Sequence, residues 1–196
     1  MIEVTYVNHM GNDMTVVNAA RVSFAKESTW DDYNSETEQY VLKDKDRKLV
    51  HYLAEHGHKS PFNHAFATFH VKAPIFVARQ LQKHEYMPWN EISRRYVDSD
   101  PEFYVPDVWR GCSEDKKQGS SGTVDLVDYS LDDYNGNGMD FYTCLIRDGV
   151  APEQARMVLP QSMMTEWYWS GSLDAFADMC NLRTTDDTQY ETRLAA

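Results

Sequence analysis

The stretch "PIFVARQLQKHEYMPWNEISRRYVD", residues 74–98, opens apolar, turns basic, bends at Pro-Trp-Asn and ends in Ser-Arg-Arg-Tyr. It gathers Arg79, Lys83, His84, Arg94 and Arg95 in a chain whose formal net charge is −12. A cationic cluster in so acidic a protein needs a local anion or local acids to meet it. Pro74 suits the first turn of a helix carrying Phe76, Val77, Gln80 and Leu81. "SRRYV", residues 93–97, reads as a short extended segment, on which Arg94 and Arg95 face opposite ways.

The flanking sequence sets a frame around this stretch. Before it, "AFATFHVKA" (65–73) alternates as a strand does, and residues 2–7 supply an earlier one. "NDMTVVNAARVSF" (12–24) predicts a helix capped by Asn12 or Asp13. Residues 27–46 are rich in acids and polar groups and read as a solvated excursion. "DKDRKLVHYLAEHG" (44–57) has helical period, with Leu49, Val50, Leu53 and Ala54 on one side and Gly57 as the stop. After it, residues 98–122 read as the longest loop. "VDLVDYSLDDYNGNGMDFYTCLIRDG" (124–149) is helical at both ends, with a kink or break expected at "NGNG". "PEQARMVL" (152–159) predicts a short helix closed by Pro160, and "MMTEWYWSG" (163–171) a strand. Ser172 is placed to cap "LDAFADMCNLR" (173–183). Helices and strands follow no βαβ alternation, so the class is α+β, with a single domain over residues 1–196.

Composition narrows the partners. The negative charge opposes nucleic-acid polymers and anionic membranes, and no apolar run approaches the roughly 20 residues that span a bilayer. The N-terminal "MIEVTYVNHM" shows no secretory pattern. Cys112, Cys144 and Cys180 have neither paired nor metal-type spacing, so a reduced, cytoplasmic protein is expected. His51, His56, His58, His64 and His70 invite a metal reading, but their spacing matches no standard ligand pattern, and no metal is expected. "HGHKSPFNH" is the more telling loop, since His58 and Ser60 follow a helix stop and offer polar groups to a cleft. No cysteine neighbours a cation that would activate it, and no Gly-x-Ser-x-Gly elbow or P-loop is present. The arginines carry the signal. Arg156 and Arg183 sit beside apolar residues at element ends, and a guanidinium fork binds phosphate or a pyrimidine carbonyl through paired bonds. The competing reading pairs each arginine with one of the 31 acids.

On these residues the chain resembles the flavin-dependent thymidylate synthases (ThyX). That family's signature is Arg-His-Arg, seven residues, then Ser. Here it stands as Lys83-His84-Glu85, seven residues, then Ser93. "ARVSF", "HGHKSPFNH", "FHVKAPIFVARQ", "NEISRRY", "ARMVLP" and "NLR" look like family blocks in family order, over about residues 10–191.

The resemblance implies an α+β fold with a mostly antiparallel central sheet flanked by helices, and a homotetramer whose active sites draw on several subunits. It implies FAD, methylene-tetrahydrofolate and NADPH in the conversion of dUMP to dTMP, where reduced flavin delivers hydride and no cysteine attacks the base. For dUMP it points to Gln80, Glu91, Ser93, Arg94, Arg95, Arg156 and Arg183, with Gln189 also matching. For the flavin it points to Ser23, His58, Ser60, Asn63, Lys83, His84, Glu85 and Asp187. Arg183, His58 and His84 take the catalytic roles. Several positions depart from the pattern. Lys83 and Glu85 replace arginines, Pro88 a serine, and Asn63 a common acid, while Asp174 and Asp187 stand where relatives carry Arg and His. Carboxylates beside a diphosphate repel it, so FAD is expected to bind weakly. Two alternatives share the fold: a folate-dependent hydroxymethylase of dUMP or dCMP, and a non-catalytic pyrimidine-nucleotide-binding protein.

Overall fold

A computed structural model describes residues 1–97, 100–114, 119–126 and 128–196. The chain begins with β1 (Glu3–Met10), α1 (Asp13–Arg21), the hairpin β2 (Asp32–Asn34) and β3 (Gln39–Val41), and α2 (Asp44–Glu55). Then follow β4 (Phe66–Pro74), α3 (Ile75–Leu81), β5 (Trp89–Glu91), β6 (Trp109–Cys112) and β7 (Ser120–Val124). The last third holds α4 (Leu131–Arg147), α5 (Pro152–Ala155), β8 (Met164–Ser172), α6 (Leu173–Arg183) and α7 (Tyr190–Ala195).

β1, β4, β8 and β5 form one antiparallel sheet in that order, as expected of an α+β chain. The β4–β8 ladder is its spine, running from Phe66 opposite Ser172 to Pro74 opposite Met164. Strand alternation splits these residues cleanly. Val71, Ala73, Trp167 and Trp169 turn inward and are buried, with Trp89 of β5 stacked on Trp167 at 4.2 Å between ring centroids. Val77, Ala78 and Leu81 of α3, Met179 of α6 and Ala195 of α7 complete this core. Each large apolar side chain removed from water there contributes about 1.5–3 kcal/mol. On the opposite face the ladder is polar: Thr68 meets Ser170 at 2.9 Å, and His70 lies 3.1 Å from Glu166.

Local signals explain the element ends. Asn12 is the α1 cap, in a reciprocal box with Thr15. Gly57, with φ +66, ends the turn after α2, and Ser172 Oγ accepts from Ala175 N to start α6. A buried clamp ties the N-terminal elements together. Asp46, fully buried in the first turn of α2, accepts from Arg21 at the end of α1 and from Ser28 Oγ. Ser28 in turn bonds Asn18 through both backbone groups, at 2.7 and 3.1 Å. The expected excursion is therefore anchored at Ser28 and Asp46, and carries the exposed β2–β3 hairpin between them.

Four expectations are corrected. Residues 94–96 form a turn, with Tyr96 N and Val97 N both donating to Ser93 O, so Arg94 and Arg95 do not alternate on a strand; the extended piece is β5 just before it. No break occurs at "NGNG". α4 runs through it because Asn135 is buried and accepts from Ser162 Oγ at 2.6 Å, while Gly138 packs against Pro160. The helix begins only at Leu131, capped by Ser130, and Val124 belongs to β7 instead. The long loop contains the β6–β7 hairpin, with Asp98, Ser99 and residues 115–118 of the expected loop, and Val127 of the expected helix, outside the described residues.

Candidate active site

α3 and α6 both pack against the sheet, and their C-terminal ends bring three expected residues together. Arg183, in the last turn of α6, donates from Nε to His84 Nε2 at 3.0 Å and from Nη2 to the Gln80 carbonyl at 3.2 Å. An imidazole nitrogen that accepts carries no proton, so His84 is neutral here. Burial lowers its pKa below the ordinary 6.5, with the Arg183 charge the second cause and Asp178 opposing both. Both hydrogen bonds of Arg183 among the described residues go to neutral acceptors, which leaves its charge uncompensated by them.

The side chain of Gln80 is fixed from α7. Its Nε2 donates to Gln189 Oε1, and its Oε1 accepts from Thr192 Oγ1 at 3.2 Å. Thr192 is fully buried. Gln189 Nε2 continues the chain to Glu191 at 3.1 Å.

Two clefts of opposite charge meet at this junction. One, about 520 Å³, is lined by Arg79, Gln80, Gln82 and Lys83 and is cationic. The other, about 650 Å³, is lined by His84, Glu85, Tyr86, Lys59, Asn63 and Phe66 together with Ser172, Asp174, Ala175 and Asp178 from β8 and α6. Arg183 touches one residue of each. Lys83 thus parts from its neighbours His84 and Glu85, and Tyr86, with φ +60, turns the backbone between the α3 end and Met87. Lys59 contacts Asp178 and lies 3.5 Å from Asp174, an interaction that sequence reasoning passed over. A third, larger cleft of about 700 Å³ is walled by Phe76, Tyr104, Trp109 and Tyr134 and shares Gln189.

Apart from Asn63, which lines the His84 cleft, the remaining expected residues sit elsewhere in the chain. Glu91 closes β5, accepting from Thr165 Oγ1 at 2.6 Å and Trp89 Nε1 at 3.1 Å. Ser93 Oγ accepts from Arg95 N at 3.4 Å, Arg94 is half-buried, and the exposed Arg95 lies over the Tyr96 ring at 5.4 Å. Arg156 is exposed beyond α5, its Nε donating to Glu153 O. Ser23 is exposed in a short 3-10 turn after α1. His58 stacks on Tyr52 at 5.9 Å rather than lining the His84 cleft, and Ser60 starts a 3-10 turn that carries Asn63 to its bond with Ser172 at 2.6 Å. Asp187 is exposed between α6 and α7, where Gly119, with φ +85, approaches so closely that a Cβ would stand 3.0 Å from its Cα. Among the described residues no group of three His, Cys, Asp or Glu is placed to hold a metal ion, and no helix is long and apolar enough to cross a membrane.

Comparison with known proteins extends over the whole of this architecture. Residues 5–196 match the family model described as thymidylate synthase complementing protein. A flavin-dependent thymidylate synthase of Thermosipho africanus is 39% identical over 194 residues, covering 94% of this chain and 78% of the relative. One from Thermotoga neapolitana is 40% identical over 191 residues, covering 96% of this chain and 79% of that protein. A solved structure of the UMP/dUMP methylase PolB from Streptomyces cacaoi, bound with 5-Br dUMP, superposes with a TM-score of 0.84 at 32% identity. That match covers 100% of this chain and 87% of the other.

Proposed function

The chain belongs to the flavin-dependent thymidylate synthase family, and we propose that within it this enzyme converts dUMP to dTMP, taking the carbon from methylene-tetrahydrofolate and electrons from NADPH. Arg183 is the observation that carries the reading. A half-buried guanidinium held by an imidazole and a carbonyl keeps its charge for a pyrimidine carbonyl, where negative charge develops as the ring is attacked. Gln80, already oriented from α7, stands beside it, and the cationic cleft of Arg79 and Lys83 suits the nucleotide phosphate. Neutral His84 takes its orientation from Arg183 and presents its protonated Nδ1 away from that bond.

Glu91, Ser93, Arg94 and Arg95 lie on β5 and the turn after it, and Arg156 lies beyond α5, on elements other than those that hold Arg183. A homotetramer whose sites join these segments from neighbouring copies accounts for that separation; light scattering that gives a fully active monomer contradicts it. The His84 cleft fits a flavin in part. Phe66, Tyr86 and the imidazole offer flat surfaces to the ring, whereas Glu85, Asp174 and Asp178 do not fit a diphosphate.

Incubation with dUMP, methylene-tetrahydrofolate, NADPH and FAD, followed by mass analysis of the nucleotide, tests the reaction. The expected product is heavier by one CH2, and UMP and dCMP run in parallel identify the accepted nucleotide. The acidic rim of the flavin cleft favours one second reading, a folate-dependent hydroxymethylase of dUMP or dCMP, whose product is heavier by CH2O. No change in nucleotide mass overturns both.

A further inference from the structure

Two devices commonly hold a phosphate in a cleft: a cation, and the open N–H groups at a helix N-terminus. The cleft beside His84 contains one of each, and the protein's own groups occupy both. Lys59 is the one cation among the described lining residues, and Asp178 and Asp174 hold it from successive turns of α6. Its pKa is raised, chiefly by the hydrogen bond to Asp178. At the N-terminus of α6, Ser172 Oγ accepts from Ala175 N at 3.2 Å and donates to Asn63 Oδ1 at 2.6 Å. Asp174 stands in that first turn, so a carboxylate already meets the positive end of the helix. Glu85 lines the same cleft. The described lining residues therefore bring three carboxylates against one ammonium. The surfaces of Phe66, Tyr86 and neutral His84, by contrast, are flat and uncharged.

We propose that this cleft takes a flavin by its ring and rejects its anionic tail, so that FAD is an exchangeable visitor to this enzyme rather than a resident group. The inference rests on the flavin-dependent reading of the family. Its physical signature is an inverted salt response. Ordinary phosphate sites weaken with salt, whereas repulsion between carboxylates and a diphosphate is relieved once the screening length falls below about 10 Å.

The test is a fluorescence titration of the whole protein with riboflavin, FMN and FAD, at low and high ionic strength, on the wild type and on Asp174→Asn and Asp178→Asn. Riboflavin is expected to bind about tenfold more tightly than FAD at low salt, with the gap narrowing as salt rises. Each Asn variant is expected to tighten FAD by several-fold and to leave riboflavin unchanged. The second variant is surface-exposed, which separates a charge effect from a folding defect. FAD binding tighter than riboflavin at low salt, or weakening with added salt, overturns the inference while leaving the flavin reading intact. If none of the three flavins binds, the flavin reading falls and the inference with it.

Discussion

Arg183 and His84 share one hydrogen bond, 3.0 Å from Nε to Nε2, that exists only while the imidazole is neutral. A residue of α6 and a residue just beyond α3 thereby fix each other's state. The guanidinium is held in place without losing charge to a carboxylate, and the imidazole is held in one tautomer.

The pH dependence follows in sign. Burial first and Arg183 second keep the folded His84 pKa below 6.5, so the unfolded chain takes up this proton at higher pH than the folded one. The stabilisation is complete above the unfolded value and is lost as pH falls through the folded one. Proton NMR of the His84 ring is expected to give a midpoint below 6.5, and Asp178→Asn should lower it further, since that carboxylate is the opposing cause. A midpoint at or above the ordinary value would show that the bond to Arg183 does not hold in solution.

Replacing Arg183 by alanine is expected to cut turnover by about a hundred- to a thousandfold, the usual effect of removing one donor aimed at developing charge. Affinity for dUMP should fall by about 1.5–3 kcal/mol in calorimetry. Arg183→Lys should fail too, because a compact ammonium does not reproduce the planar fork whose separate nitrogens reach His84 and the Gln80 carbonyl. Wild-type dUMP affinity in the alanine variant removes Arg183 from the nucleotide site.

Thr192→Val keeps the volume and strips the donor from Gln80 Oε1. The stranded carboxamide should cost about 1–3 kcal/mol of stability. More tellingly, KM for dUMP should rise while kcat changes little, and Thr192→Ser should restore both. An unchanged KM in the valine variant means that α7 does not orient Gln80 for the substrate.

The two glycines of α4 should respond oppositely. A Cβ on Gly136 meets nothing within 4 Å, so Gly136→Ala should gain about 0.8–1 kcal/mol from helix propensity. On Gly138 it would stand 3.1 Å from Pro160 Cδ, a ring atom with little freedom to retreat. Gly138→Ala should therefore lose that gain or destabilise. Equal shifts in the two thermal midpoints would contradict the packing of α4 on Pro160.

Strong local patterns made much of the fold legible. β4 announces itself by alternation, β8 by its aromatic run, and Asn12, Gly57 and Ser172 by cap chemistry. "NGNG" misled because two glycines cost a helix about 2 kcal/mol locally, while the contacts of Asn135 with Ser162 and Gly138 with Pro160 are made by distant sequence. At the site, the family blocks brought Gln80, His84 and Arg183 into view. Lys59 escaped because the histidines of "HGHKSPFNH" drew the reading, and its partners lie on α6 at the four-residue spacing of one helix face. Thr192 carried no signal, since only tertiary packing reveals which hydroxyl meets a particular carboxamide.

The buried clamp of Arg21, Ser28 and Asp46 has a consequence for loop length. Just beyond it Lys43 Nζ donates to Thr29 Oγ1 at 3.0 Å, so the two ends of the intervening segment meet at its neck. Above that neck the segment is held by its own aromatic contacts, Trp30 on Tyr40 at 5.5 Å and Tyr33 on Tyr40 at 5.0 Å, with its strands facing solvent. Closing a loop of twice the length costs only about 0.6 kcal/mol of chain entropy. A longer hairpin between residues 30 and 42 would therefore cost little in chain closure, and what it would disturb is the cleft of about 390 Å³ that Asn34, Tyr40 and Leu42 share with Asp13 of α1 and Arg47 of α2.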